Sequence, residues 1–145
     1  MGIHDGHREK MRRRFLETGL EGFADHEALE LLLYYAIPQG DVNGLAHELV
    51  ERFGSLAGVL DAAEEELCRV PGVGQHTAVL LKLIPAAGAR YLQSRADLGE
   101  PVRRTEDAYA LLEPYFFGAR NEMIYLLALD GKNKPLGVRK VAEGS

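Results

Sequence analysis

The stretch Leu67 to Ile84, LCRVPGVGQHTAVLLKLI, constrains the chain more than any other. It sets a proline and two glycines, separated only by Val73, between an acidic helical pattern and an apolar one. Leu67 and Val70 recur at i, i+3, and Val73, Ala78 and Leu81 carry the apolar seam onward. The pattern predicts two helices meeting over a short turn, close enough to require a small residue at Ala78. One glycine suffices for a turn, so Gly72 and Gly74 together suggest that the backbone itself must be approached from outside. The first amides of a helix have no internal acceptors and lie at the positive end of its dipole. The amides of Gly72, Val73, Gly74, Gln75, His76 and Thr77 are therefore expected to form an anion site, with Lys82 and Arg69 adding attraction.

Charge distribution bears on which anion. The net charge is −5, but residues 25–66 hold ten acids against Arg52 alone, whereas residues 67–96 hold Arg69, Lys82, Arg90 and Arg95 and no acid. A second basic island covers residues 8–14, with Arg12 and Arg13 at its centre. Charge runs are commonly solvated faces, yet both islands adjoin features that read as phosphate contacts. The 145 residues, 46% hydrophobic and 27% charged, suit a soluble chain with one compact domain, or one domain and part of another. A single cysteine, Cys68, excludes a disulfide framework and fits a reducing compartment. The N-terminus has no secretory h-region, and the longest apolar run, LELLLYYAI at 29–37, is too short to span a bilayer. The expected location is cytoplasmic, with no membrane partner.

Along the chain the pattern is helical to about residue 92. A first helix over 7–18 should end at Gly19. Asp25 is expected to cap a second helix through Leu29, Leu32, Leu33 and Ala36, stopping at Ile37-Pro38. LAHELVERFG gives a third helix, closed by Gly54, with Leu45, Leu49, Val50 and Phe53 on one face. Ser55 should cap a short SLAGVL helix, and Asp61 with Glu64 has capping-box spacing before AAEEELCRV. Pro85 predicts a kink or break in the helix that follows the glycine pair. No repeat of 20–50 residues is visible.

The match at Leu67, Val70, Pro71-Gly72-Val73-Gly74, Ala78 and Leu81 resembles the helix-hairpin-helix motif. That resemblance implies contact between hairpin amides and a DNA backbone phosphate without sequence readout. A hairpin that only packs, or that binds protein, is the alternative. The longer string HREKMRRRFLETGLEGFADHEALELLLYYAIPQGDVNGLAHELVERFGSLAGVL resembles the N-terminal domain of the RadC family of bacterial proteins, associated with DNA repair. It implies a mainly α fold, like those of the RuvA C-terminal domain and endonuclease III, with residues 29–53 as a degenerate partner hairpin. The expected organisation is a helical domain over 1–93, a polar linker over 94–104, and a fragment over 105–145. The fragment resembles the start of a JAB/MPN (JAMM) metalloprotease-like domain: a helix capped by Thr105, then two strands joined by Asp130-Gly131-Lys132-Asn133.

The JAMM resemblance implies a catalytic glutamate at Glu122 and zinc in a full-length family member. The His-x-His pair and aspartate that hold the zinc do not occur before Ser145. Without a metal-bound water Glu122 has no reaction to serve, and an exposed strand-edge carboxylate is the expected reading. His4 and His7 should lie in a frayed tail, and His26, His47 and His76 on separate helices, so no metal or cofactor is expected in this chain. An endonuclease III-type glycosylase would need a lysine where His76 stands. Two strands and one helix leave an unpaired apolar edge, so residues 105–145 should pair with another chain, a second copy among the candidates, pack on the helical domain, or aggregate.

Overall fold

A computed structural model describes residues 3–95 and 100–144, with side chains from Asp5 onward. The polar linker expected over 94–104 therefore lies partly outside the described residues, as does the side chain of His4. The chain divides into two compact units, Met1–Ile84 and Pro85–Ser145.

The first unit is helical. Its elements are α1 (Ile3–Thr18), α2 (Asp25–Leu33), α3 (Asn43–Phe53), α4 (Leu56–Asp61), α5 (Glu64–Cys68) and the first part of α6 (Gln75–Arg95). Leu29, Leu33, Leu49, Val59, Leu67, Val70 and Leu81 are fully buried and form one core, with Ala46 and Ala78 admitting close helix approach. Each such aliphatic side chain contributes roughly 1.5–3 kcal/mol by leaving water. Gly19 and Gly54 close α1 and α3, and the Ser55 hydroxyl accepts the Gly58 amide at 3.0 Å, as the sequence predicts.

Two caps differ from expectation. Asp25 is the first residue of α2 rather than its cap, and its carboxylate accepts the amide of Leu56, 31 residues away, at 2.9 Å. The start of α2 is served instead by Glu27, which accepts the Ala24 amide at 2.9 Å. At α5 the Asp61–Glu64 box does not form, because Asp61 still belongs to α4; Glu66 reaches back to the Ala63 amide at 3.2 Å. α6 continues through Pro85 to Arg95, so of the kink or break expected there, the break does not occur. Alanines at 86, 87 and 89 favour the helix and offset the one backbone bond that proline removes.

The N-terminal helix is anchored rather than frayed. His7 Nε2 lies 3.2 Å from Glu30 Oε1, and Glu30 is buried with Tyr34 Oη donating at 2.9 Å and Asn43 Nδ2 at 3.0 Å. Burial first, then the Glu30 carboxylate, push the Tyr34 phenol well above its ordinary pKa. Arg8 is buried as well. It donates to the carbonyls of Tyr34, Ile37 and Gly40, and its guanidinium stands 4.6 Å from the Tyr34 ring centre.

The second unit contains α7 (Thr105–Leu112), a 3-10 turn (Glu113–Phe116), and an antiparallel hairpin of β1 (Glu122–Leu129) and β2 (Pro135–Gly144). Asp130 Oδ1 accepts the amides of Lys132 and Lys134, which fixes the expected turn. Thr105 is the first helical residue and not the cap; Asp107 accepts the amides of Arg103 and Arg104 in that role. Tyr115 and Phe116 pack their rings on Tyr125, and Gly88 lies against Phe117. No described residue of this unit is buried.

Candidate functional site

The turn between α5 and α6 tightens stepwise. Arg69 donates its amide to Glu66, Val70 to Leu67, and Val73 to Val70 at 3.0 Å. Val70 and Val73 are buried and hold the turn to the core, while Pro71, Gly72, Gly74, Gln75 and His76 are exposed. The two glycines serve different ends. Gly72 has φ 96°, a conformation that side chains disfavour. Gly74 has no positive φ, and a Cβ there would meet nothing within 4 Å. The fold therefore requires glycine at 72 and leaves position 74 free of internal constraint.

Among the described residues, no internal acceptor is found for the amides of Gly72, Gly74, Gln75, His76 and Thr77. Val73 leaves the predicted set, since its amide is bonded and its side chain buried. Thr77 is buried too. The other helix starts from α2 to α7 carry their own acceptors: Glu27 for α2, Asp41 for α3, Ser55 and Asp25 for α4, Glu66 for α5, Asp107 for α7. The start of α6 has none, and the dipole of a helix of 21 residues ends there.

The cations expected beside this turn are differently engaged. Lys82 donates its ammonium to the carbonyls of Leu60 at 3.2 Å and Ala62 at 2.8 Å, closing the C-terminus of α4. Arg13 pairs with Glu9 at 3.2 Å, and Arg14 with Glu27 at 2.9 Å. Arg12 lines an apolar groove with Phe15, Leu16, Leu20 and Tyr35. Of the N-terminal basic island, Arg8 and Arg14 are thus part of the fold, while Arg13 stays exposed in a surface pair within α1. Arg69 is exposed at the turn with no partner among the described residues.

One contact escaped the sequence reading. His26 and His47, placed on separate helices, stack with ring centres 3.9 Å apart. The α5–α6 turn has a counterpart between α2 and α3, within the residues 29–53 expected to hold a partner hairpin, at a constant offset of 32 residues. Gly40 and Gly72 share the left-handed conformation, at φ 91° and 96°. Ala46 matches Ala78 and Leu49 matches Leu81, all four fully buried. Shared identities at glycine, alanine and leucine are too common to show as a repeat without the geometry. Glu122 stands exposed at the start of β1, and among the described residues no group of three or more His, Cys, Asp or Glu is placed to hold a metal. The residues present do not make up a zinc site around it.

A family model described as UPF0758 N-terminal matches residues 5–79, which cover α1 to α5 and the start of α6. The chain belongs to the UPF0758 family. This is the RadC-like family. A UPF0758 protein of Fusobacterium nucleatum is 42% identical over 81 residues, 56% of this chain. The aligned part covers 35% of that relative, so the chain spans about a third of its length. No solved structure matches the chain. No helix among the described residues is long and apolar enough to cross a membrane.

Proposed function

We propose that the N-terminal unit of this UPF0758 chain is a helix-hairpin-helix domain that binds nucleic-acid backbone phosphate without reading sequence. The phosphate oxygens accept from the amides of Gly74, Gln75, His76 and Thr77, with Gly72 admitting the strand and Arg69 supplying charge. The observation that carries this reading is the start of α6, glycine-flanked and without the side-chain acceptor that the other helix starts from α2 to α7 each have. An amide cradle favours phosphate at a helix N-terminus and discriminates no base. The cytoplasm and a role connected with DNA repair accord with the RadC-like family.

The second unit is, in this proposal, the first part of a JAB/MPN domain, and Glu122 acts only where zinc ligands are supplied from outside this chain. Metal analysis of the purified chain after zinc loading should then find less than about 0.1 equivalent, because one carboxylate does not retain the ion. Stoichiometric zinc would contradict this.

Salt titration tests the nucleic-acid reading. Binding to an oligonucleotide should weaken steadily as ionic strength rises, with a slope corresponding to one or two phosphates. Affinity independent of salt would rule it out.

One observation supports a second reading, a protein-interaction module. The groove beside α1 has a volume of about 390 Å³, and Leu16 and Tyr35 on its wall are 81% and 67% exposed. Replacing Leu16 and Tyr35 by serine should abolish self-association or partner capture on that reading, and leave oligonucleotide binding unchanged on ours. The exposed edge of the β1–β2 sheet offers a further surface for pairing between copies.

A further inference from the structure

The two matched turns of the first unit differ in what stands at the helix start. In the α5–α6 turn the order is Gly72-Val73-Gly74, and the amides after it are open. In the α2–α3 turn the corresponding order is Gly40-Asp41-Val42. Val42 is buried, and Asp41 Oδ1 accepts the Asn43 amide at 2.9 Å. The positive end of α3 thus already holds a carboxylate, its own, and that carboxylate is exposed. The Gly40 carbonyl is held by Arg8 at 2.8 Å, which ties this turn to α1. A phosphate approaching α3 meets a like charge and a filled donor.

Resting on the phosphate-binding reading above, we infer that the unit grips one nucleic-acid strand only. The α5–α6 turn makes the contact, and Asp41 with Val42 closes the turn that would reach a second strand. A duplex then offers this unit no more than a single strand does. One cradle on a chain of net charge −5 gives a weak grip, strengthened when copies are held together on one strand.

The test is fluorescence anisotropy with the full chain and three probes: a single strand, a duplex, and a duplex with one strand made neutral by methylphosphonate linkages. The wild type should bind all three within about threefold of one another, since one strand supplies the whole contact. The graft Asp41→Val with Val42→Gly copies the open turn onto α3. It should raise duplex affinity about tenfold or more, and gain nothing on the half-neutral duplex. If removing Val42 unfolds the unit, Asp41→Asn decides: it keeps the packing, and duplex affinity should rise about threefold as the like charge disappears. A wild type that loses tenfold on the half-neutral duplex grips both strands and overturns the inference. So does a folded graft, or Asp41→Asn in its place, that binds duplex no better than wild type. A chain that binds none of the probes, or whose Gly74→Asp variant binds as wild type does, instead overturns the phosphate-binding reading and this inference with it.

Discussion

The two units satisfy themselves to different degrees. In residues 1–84 a closed core holds seven fully buried aliphatic side chains, and even its charged interior, Arg8 and Glu30, is hydrogen-bonded. In residues 85–145 no described residue is buried, and Ile124, Leu126, Leu136 and Val141 stay more than half exposed. The sheet is two strands, covered in part by aromatic rings from the 3-10 turn. The contrast teaches that an unmet group means different things in the two places. In the second unit apolar side chains of both strands stand exposed. In the first, the core and its buried charges are met and the apolar exposure is gathered in the groove beside α1, so the open amides at the start of α6 stand out among its polar groups.

The strongest way to break this comparison is to separate the units. A chain of residues 1–95 should keep its helical circular dichroism and a cooperative melt, whereas residues 100–145 alone should show neither, because a lone hairpin and helix bury too little. A folded, cooperative C-terminal fragment would remove the contrast. Next in size are core truncations. Leu49→Ala or Leu81→Ala should cost about 2–5 kcal/mol by denaturant melts, while Leu126→Ala in β1 should stay within about 0.5 kcal/mol.

The buried carboxylate sharpens the picture further. Glu30→Ala leaves the Tyr34 hydroxyl and the Asn43 amide without their acceptor and should cost about 3 kcal/mol. A loss below about 1 kcal/mol would show that the network is dispensable. A smaller effect attaches to Glu27. The Ala24 amide first, and then Arg14, hold its carboxyl below the ordinary value of 4.5. A carboxyl depressed in the folded state adds stability above its unfolded pKa and loses it as pH falls through the folded one. Glu27→Gln should therefore cost about 1 kcal/mol near neutrality, and the difference from wild type should vanish in strong acid. A difference independent of pH would contradict the assignment.

How much of this was legible in the sequence depends on the reach of each interaction. Local signals held: Ser55 caps the helix after it, Gly54 closes the one before it, and Asp130-Gly131-Lys132-Asn133 turns the hairpin. Each acts within a few residues, so the chain alone contains the information. Caps made across the fold were illegible. Asp25 serves the amide of Leu56 and leaves its own helix to Glu27, because packing α4 beside α2 offers a better-placed donor. The basic island over 8–14 was legible as charge but not as availability, since Arg8 and Arg14 find partners only once α1 is placed, while Arg13 pairs locally with Glu9 in its own helix. Likewise Lys82 closes α4 through carbonyls 20 and 22 residues away. The sequence marks the glycine pair as one glycine more than a turn needs. Only the backbone angles separate the glycine that the turn needs from the one it does not.

That separation gives the most direct test. Gly74→Asp places an acceptor at the start of α6, making it like the neighbouring helices. The account predicts opposite changes in one protein: the melting midpoint rises, by roughly 0.5–1 kcal/mol of added helix capping, while oligonucleotide affinity at low salt falls tenfold or more. A stabilised protein that still binds as tightly as wild type would contradict it.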